Sequence, residues 1–316
     1  MEEQPIPGTL LEAVRAFSHP DVAHDFMVQL RWPHGVACPR MGCGSASVTA
    51  MPKYKLWYCR DCKRRFTVKV GTVFEDSPIG FDKWLPAIWL LASNRNGISS
   101  CELARALNVT QKTAWFMLHR IRLAMQNGAF RQLVGTVEAD ESYIGGKAHN
   151  KPLYIRRKLR DGNPTADKTM VFGMVERGGE VRAITMPGSK PKLPTILPVL
   201  QKNVHHDATF YTDSAQLYTH INEYFLKHAS VNHSALEYVR GSVHTNTIES
   251  FWAVLKRTIG GTYIAPRPWH LDRYLDEQIF RFNERKNDDG PRFVKAVKGA
   301  DGKRLTYKTL TAKTRR

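Results

Sequence analysis

The chain has 316 residues, 42% hydrophobic and 10% aromatic, a composition that excludes a disordered chain and suits two or three domains. Its 47 Lys and Arg against 29 Asp and Glu give a formal net charge of +18, which favours a polyanionic partner, nucleic acid over an acidic membrane. The longest strongly apolar stretch, Trp84 to Ala92, is too short to span a bilayer. We expect no signal peptide, because Met1 to Gln4 is acidic and no apolar stretch follows it. We therefore expect a soluble, cytoplasmic protein without a membrane partner.

Five segments follow one another along the chain. Residues 8–35 predict one or two short helices ending at a Trp-Pro-His-Gly turn. Residues 36–76 predict a small β module, residues 80–127 are helical, and residues 134–288 alternate strands and helices as in an α/β domain. Residues 291–316 carry nine Lys and Arg against one acid, so a partly disordered end and a DNA-contacting arm are both open.

Four of the five cysteines form two pairs in the β module, Cys38 with Cys43 and Cys59 with Cys62. Paired cysteines on tight turns deliver two soft ligands each, and two pairs complete a tetrahedral zinc site. Four residues separate the first pair, where two are commoner, and the alternative is that the cysteines pack as small apolar residues. The clustering favours metal over disulfides, so we predict a structural Zn²⁺.

The stretch around the second cysteine pair is basic, which predicts that the zinc module also touches DNA. The candidate contacts are Arg60, Lys63 and Arg64. Cys101 stands apart on a predicted helix, and we expect it to be a buried small residue.

Two short helices are predicted between residues 97 and 125. Ser99 or Ser100 can cap the first, with Glu102 in its first turn, while Asn108 suits the turn and Thr110 can cap the second. In a helix-turn-helix the start of the second helix enters the major groove. The candidate DNA contacts there are Gln111, Lys112 and Thr113. An ordinary helical hairpin is the alternative.

Two aspartates mark the ends of predicted strands. Residues 134–146 predict a strand that ends at a glycine turn, and its alternation places Asp140 and Glu141 on opposite faces, so only one can point into a given site. Residues 208–213 predict a second strand with Asp213 at its end, before a polar turn at residues 214–216. Between them a hairpin is predicted around Arg177-Gly178-Gly179, followed by a helix.

The third acidic candidate lies on a predicted amphipathic helix beginning near His244. Its apolar face leaves Asn246, Glu249 and Lys256 on another face, where an acid or amide can bind metal while the lysine and Arg257 reach DNA. His244 either orients substrate or is a satisfied polar residue. Two-metal phosphodiester chemistry needs carboxylates of this kind, because Mg²⁺ prefers oxygen ligands.

The order of these elements is more specific than any one carboxylate. Strand with Asp, hairpin, helix, strand with Asp and later helix with Glu is the order expected of an RNase H-like integrase core. The predicted fold is therefore α/β, an RNase H-like catalytic core preceded by a small zinc ribbon and a helix-turn-helix. The basic segment Lys147 to Lys168 is either a DNA-binding insertion or a mobile charged loop.

At this point the chain resembles the bacterial insertion-sequence transposases with an N-terminal zinc ribbon and a DDE-type core, the ISXO2-like group. The resemblance covers about residues 15–290. It is carried by Cys38 to Cys43, Trp57 to Cys62, Gly71 to Phe74, Asp140 to Gly146, Tyr211 to Asp213, and His244 to Glu249 through Arg257.

The resemblance implies a retroviral-integrase-like fold, Mg²⁺- or Mn²⁺-dependent cleavage at transposon ends, and strand transfer into target DNA. Asp140, Asp213 and Glu249 then correspond to the metal-binding acidic triad, and Lys256 to the basic residue seven positions after the Glu. The group admits Asn as third ligand, so Asn246 stays open, although the 35 intervening residues and Lys256 favour Glu249. Its partners would be double-stranded DNA, both terminal inverted repeats and target, and further copies of the chain in a homo-oligomer.

Other functions compete with an active transposase. A DNA-binding regulator would use the zinc ribbon and the helical pair without catalysis, an interpretation that the intact carboxylate set opposes. A nuclease would cut without joining. A decayed element product that still folds is opposed by the start methionine and the uninterrupted core.

Overall fold

The structure is a computed structural model that describes residues 6–126, 131–146, 150–161, 165, 167–188, 192–213, 218, 221–225, 227–231, 239–264 and 266–312. It divides into two compact units, Met1–Asn127 with Glu284–Arg316, and Gly128–Asn283. No helix in these described ranges is long and apolar enough to cross a membrane.

The secondary structure is mixed α/β. In chain order the α-helices are α1 Leu10–Phe17, α2 Pro20–Arg31, α3 Phe81–Ser93, α4 Ser100–Leu107, α5 Gln111–Met125, α6 Leu153–Asp161, α7 Leu193–Asn203, α8 Asn246–Thr258, α9 Leu271–Asn283, α10 Asp289–Lys298 and α11 Tyr307–Thr311. The strands are β1 Val48–Met51, β2 Leu56–Cys59, β3 Arg65–Phe66, β4 Thr136–Ile144, β5 Thr169–Glu176, β6 Val181–Met186, β7 Thr209–Asp213 and β8 Lys227–Val231. A π-helical segment, Ile259–Tyr263, continues α8.

In the first unit, a three-stranded antiparallel sheet β1-β2-β3 accompanies the helices. Helix α3 is the most apolar of them, and nine of its thirteen residues are buried. Its length and all-round burial make it the centre of this unit's core.

The C-terminal segment belongs to that same core. The Phe293 ring on α10 is fully buried and lies 5.3 Å from the Trp89 ring and 5.7 Å from the Phe17 ring. The Arg120 Nε donates to the Leu305 carbonyl at 3.1 Å. Residues 291–312 of the predicted basic tail therefore pack in this core, because periodic apolar residues among the lysines bury one face. Residues 313–316 lie outside the described residues.

The second unit contains a five-stranded sheet in the order β6-β5-β4-β7-β8. Strands β4, β5 and β6 pair antiparallel, as the predicted hairpin requires, and its turn uses Gly178 at φ +73°. Strands β4, β7 and β8 pair parallel. The predicted polar turn at residues 214–216 lies outside the described residues.

The basic segment between the first two strands of this sheet includes a helix. Helix α6 forms within the stretch from Lys147 to Lys168, which was predicted to be an insertion or a charged loop. Residues 147–149, 162–164 and 166 of that stretch lie outside the described residues.

Helices cover both faces of the sheet. On one face Val137 and Phe210 pack with Ile196 and Leu200 of α7. On the other, Val171 and Val175 pack with residues of α8 and α9. Because side chains alternate along a strand, even-numbered residues of β4 and odd-numbered residues of β7 point toward the α8 face.

Candidate active site

Asp140 and Asp213 lie side by side on adjacent parallel strands. Glu138 of β4 pairs in register with Tyr211 of β7, and each aspartate stands two residues further along its strand. Both carboxylates therefore leave the same face of the sheet, Asp140 from the middle of β4 and Asp213 from the end of β7. Burial, and after it the negative charge of Asp213, raises the pKa of Asp140 to about 6.

Helix α8 brings Glu249 to the two aspartates. The Trp252 Nε1 donates to Asp140 Oδ2 at 3.0 Å, which ties the middle of the helix to β4. Glu249 precedes Trp252 by three residues, about one turn, and its charge also raises the pKa of Asp140. The Thr245 hydroxyl donates to Glu249 Oε1 at 3.3 Å, and the Glu249 side chain remains exposed. Two strands and one helix thus place three carboxylates together.

The geometry of α8 distinguishes Glu249 from Asn246, the two candidates for the third metal ligand. At about 100° per residue, Glu249 stands about 60° around α8 from Trp252, whereas Asn246 stands about 120° away. Lys256 follows Glu249 by seven residues, so it lies about 20° away around the axis and about 10 Å along it. Glu249 and Lys256 therefore share an exposed stripe next to Asp140, while Asn246 occupies the first position of the helix.

Glu138 is a buried acid that the sequence reasoning missed. Its side chain is fully buried, and its carboxylate accepts from the Thr247 and Ile248 amides at 2.8 and 3.1 Å and from the Thr247 hydroxyl at 2.9 Å. Arg177 Nε donates to it at 2.6 Å. A buried carboxylate is tolerable with such partners, and removing one costs about 3–5 kcal/mol. The signal was present in the sequence: an acid two residues before Asp140, on the same face of the predicted strand.

His244 lies beside this acid. Its Nδ1 stands 3.5 Å from Glu138 Oε1 and also within 3.4 Å of the Asn246 amide, which donates to it. The first contact needs a hydrogen on Nδ1 and the second needs Nδ1 without one, so the ring nitrogen makes one contact or the other. In either state the ring is held by neighbours of the chain itself, as expected of a satisfied polar residue.

Gly173 makes room for α8 on the sheet. It pairs with Asp140 across β4 and β5, and a Cβ added there would lie 2.4 Å from Trp252 Cζ2. A side chain at this position would push the indole ring away from the strand.

Glu141 points to the opposite face, as predicted from strand alternation. It accepts a short hydrogen bond from the buried Tyr218 hydroxyl, and burial raises its pKa to about 8. Of the two adjacent acids, Asp140 is the one that faces α8.

The carboxylate cluster fits a divalent metal. Three acids, Asp140, Asp213 and Glu249, offer oxygen ligands on one face of the sheet, and burial followed by the charges of the other two acids raises the pKa of Asp140. A bound cation reverses that penalty, because it favours the ionised carboxylates. Oxygen donors alone are the set that Mg²⁺ prefers.

The cysteine pairs also come together. The sulfurs of Cys38 and Cys62 lie 3.8 Å apart, those of Cys43 and Cys59 lie 3.7 Å apart, and all four lie within 4.8 Å of one another. A tetrahedron with Zn–S distances of about 2.3 Å has sulfur–sulfur edges of about 3.8 Å. The four free cysteines therefore match a tetrahedral zinc site in size and shape.

Local turns explain how the irregular first pair reaches this geometry. Gly42 and Gly44 flank Cys43 with φ of +81° and +60°, a conformation that glycine adopts without strain. The chain thereby folds back so that the Cys38 amide donates to the Ser45 carbonyl at 2.8 Å. Four intervening residues are thus accommodated without displacing a ligand.

Known proteins share these features. A transposase zinc-ribbon domain matches residues 20–65, and an ISXO2-like transposase domain matches residues 132–283. A protein of Halobacterium salinarum, described as an uncharacterized protein in transposable element ISH50, is 30% identical over 255 residues, 77% of this chain and 84% of that protein. The chain belongs to the ISXO2-like transposase family. An uncharacterized transposase-like protein of Haemophilus influenzae is 30% identical over 89 residues, 28% of this chain and 71% of that protein.

The resemblance drawn from the sequence is thereby confirmed, and the candidate DNA contacts of this transposase can be located. Arg60, Lys63 and Arg64 are exposed around the second cysteine pair. Arg60 Nε donates to the Thr49 hydroxyl at 3.1 Å, and Lys63 adopts φ +58° in the turn. On α8, Lys256 and Arg257 are both exposed.

The helical pair of the transposase forms as α4 and α5. Ser99 and Glu102 make a reciprocal capping box on α4, and Thr110 caps α5 by accepting from the Thr113 amide at 3.1 Å. Gln111 is exposed and donates to the Ser100 hydroxyl at 2.7 Å.

The expected DNA contacts at the start of α5 differ in their surroundings. Lys112 is exposed and stands 4.8 Å above the Tyr307 ring of α11, a contact that sequence reasoning did not predict. Thr113 is half-buried and its hydroxyl bonds to that of Thr110 at 2.8 Å. Cys101, expected to be buried, is exposed, because it lies on the outer face of α4.

Proposed function

We propose that this transposase cleaves transposon ends and joins them to target DNA at a site formed by Asp140, Asp213 and Glu249. One observation carries the proposal: the register of β4 and β7, together with the Trp252–Asp140 bond, brings three carboxylates together on one face of the sheet. When bound there, Mg²⁺ or Mn²⁺ would activate the attacking water or 3′-hydroxyl and stabilise the leaving oxygen.

The proposal includes an RNase H-like core for the second unit. The sheet order β6-β5-β4-β7-β8, with three antiparallel strands followed by two parallel ones, supports that assignment. Helices on both faces support it as well. In this arrangement β4 is central, so its Asp140 is held by neighbouring strands on both sides.

Substrate binding is assigned to exposed cations and to the helical pair. Lys256 and Arg257 follow Glu249 along one helix, so they can hold the DNA backbone near the carboxylates. We propose that α4 and α5 act as a helix-turn-helix, with Gln111 and Lys112 reaching base edges, and that Arg60, Lys63 and Arg64 contact phosphates. The substrate is double-stranded DNA, both the terminal inverted repeats and the target.

The four cysteines are proposed to hold a structural Zn²⁺, because all four sulfurs take part and leave no open position for a reacting water. Joining two transposon ends in one event requires an active site at each end, so we propose a homo-oligomer in the DNA complex.

A cleavage and joining assay tests the proposal. Labelled transposon ends with Mg²⁺ should yield nicked product, and precut ends with supercoiled target should yield joined product. Asp140→Asn and Asp213→Asn should abolish both, whereas the exposed Asp207→Asn in the turn before β7 should leave both unchanged. Cutting without joining would indicate a nuclease. DNA binding without any cutting would indicate a regulator and overturn the proposal.

A further inference from the structure

We propose that Glu138 and Arg177 are positioning residues that lock the start of α8 onto β4 and thereby set the position of Glu249 relative to Asp140. We call this pair the Glu138–Arg177 clasp. The inference rests on the proposed function, because it concerns the same carboxylate site. It assigns roles to two residues outside the proposed metal ligands and DNA contacts.

Glu138 acts as a cap supplied from another element. Within the described residues α8 has no side-chain cap from its own N-cap residue, Thr245. The Glu138 carboxylate instead accepts from the amides of the second and third helical residues, Thr247 and Ile248. A negative charge at this end also complements the helix dipole. The start of α8 is therefore fixed to Glu138 of β4 and cannot shift along the strand without breaking these bonds.

Arg177 connects the chain segment that precedes α8 to the same Glu138 carboxylate. While its Nε donates to Glu138, its other two nitrogens donate to the carbonyls of Ser242 and His244, each at 2.8 Å. Those carbonyls belong to the chain segment that leads into α8. One guanidinium thus joins the β5–β6 turn, the central strand and the start of the helix. A lysine could not reproduce this planar, divergent set of donors.

The geometry explains why the clasp acts on Glu249. Glu138 stands two residues before Asp140 on the same strand face, and the capped amide of Thr247 stands two residues before Glu249. Asp140 thus stands one strand repeat from the clasp, and Glu249 stands about half a helical turn from the amide that the clasp holds. Misplacement of a reacting group by about 1 Å can cost on the order of 100-fold in rate. The fully buried Glu138 cannot itself reach the substrate or the proposed metals.

Glu138→Gln is the main test, because it keeps the size of the side chain but removes the charge and one acceptor. Terbium luminescence provides a readout besides activity, since Trp252 next to Asp140 can sensitise a Tb³⁺ ion bound there. We expect Tb³⁺ affinity to fall about 10- to 100-fold, as for other residues that orient metal ligands. Cleavage should fall at least about 10-fold at saturating DNA, with little change in KM, and added Mn²⁺ should restore part of it.

Matched variants separate positioning from general stability. Glu176→Gln removes a neighbouring carboxylate whose partners are Arg131, at 3.0 Å, and the Val134 amide, rather than α8, so Tb³⁺ affinity should stay at the wild-type value. Thr247→Val removes only the hydroxyl bond to Glu138 and guards against misfolding of Glu138→Gln. Its Tb³⁺ affinity should fall by a smaller factor, about 2- to 5-fold, as expected for losing one bond of about 0.5–1 kcal/mol.

Two outcomes decide between the claims. Folded Glu138→Gln and Thr247→Val proteins that bind Tb³⁺ as tightly as wild type would overturn the clasp. A wild-type protein that binds Tb³⁺ through Asp140 but cuts no DNA would overturn the proposed function, while the Tb³⁺ comparison would still decide the clasp.

Discussion

The Trp252 indole nitrogen donates a hydrogen bond to Asp140 Oδ2 at 3.0 Å, and this bond joins the helix that carries Glu249 to the strand that carries the first acid. The same ring lies over Gly173, the residue paired with Asp140 on the neighbouring strand. The Trp252 side chain thus makes both the polar contact with Asp140 and the packing contact with Gly173. The position of α8 on the sheet therefore depends on the absence of a side chain at residue 173.

Gly173→Ala should displace the helix. The added Cβ would stand 2.4 Å from Trp252 Cζ2 and 3.0 Å from Ile248 Cδ1, so the ring must move. We expect a loss of about 1–3 kcal/mol in the free energy of unfolding and a cleavage rate at least about 10-fold lower. Urea unfolding and the end-cleavage assay measure the two effects. Gly261→Ala, whose added Cβ would meet none of the described atoms within 4 Å, is the control, and equal effects in both variants would contradict the packing argument.

The stability of the metal-free transposase should depend on pH through Asp140. Its pKa rises from 3.8 to about 6 on folding, because burial and then Asp213 oppose its charge. The folded state then holds the proton more tightly, so stability falls as pH rises from about 4 through about 6. Asp140→Asn removes this cost, which is at most about 3 kcal/mol, and should raise Tm at pH 7.5 but not at pH 3.5.

Added Mg²⁺ should make the wild type more stable than Asp140→Asn at pH 7.5, the reverse of the order expected without metal. It favours the ionised carboxylates, so it should raise the Tm of the wild type at pH 7.5 and leave Asp140→Asn unchanged. Equal Mg²⁺ stabilisation of both proteins would place the ion elsewhere.

The third carboxylate position can be tested by paired substitutions on α8. Glu249→Gln should reduce cleavage by at least about 100-fold, because losing a direct ligand costs no less than losing a residue that orients one. Asn246→Ala should reduce it only a few-fold, since this side chain stands about 120° around the helix from Trp252. Rates at saturating Mg²⁺ give the comparison. The opposite ranking would make Asn246 the ligand.

Zinc should be required for the cysteine module. Removing the metal from a tetrathiolate site takes away a large part of the free energy that stabilises a small folded domain. Cys43→Ser should lower zinc content from one per chain to near zero by atomic absorption, with a shift in the emission of the tryptophans in the module. Cys101→Ser, on the exposed face of α4, should keep its zinc. Full zinc retention in Cys43→Ser would exclude a four-cysteine site.

Lys256 should contribute a phosphate contact. Lys256→Ala should weaken binding to all DNA sequences alike and lower the slope of log K against log salt by about 1. Fluorescence anisotropy at several salt concentrations measures this slope. Lys202→Ala is the control, because Lys202 lies on α7, which packs on the opposite face of the sheet. An unchanged slope for Lys256→Ala would remove this lysine from the DNA surface.

Local patterns of residues determined much of this protein. Strand alternation separated Asp140 from Glu141, and the hairpin around Gly178 and the amphipathic helix bearing Glu249 followed from hydrophobic periods of two and of about 3.6 residues. The four cysteines were identified from spacing alone. Each of these inferences depends on residues close together in the chain, where sequence distance is a good guide to spatial distance.

Tertiary packing decided the rest. The lysines of α10 obscured its apolar face in the sequence, and its place in the core became clear only from its packing against α3. The sequence could place Glu138 on the same strand face as Asp140, but only the fold brings Thr247, Ile248 and Arg177 to it, each from more than thirty positions away. The sequence by itself determined which residues could carry charge, metal or a turn. Only the folded chain decided which of them meet, because burial and long-range hydrogen bonds are properties of contacts between distant segments.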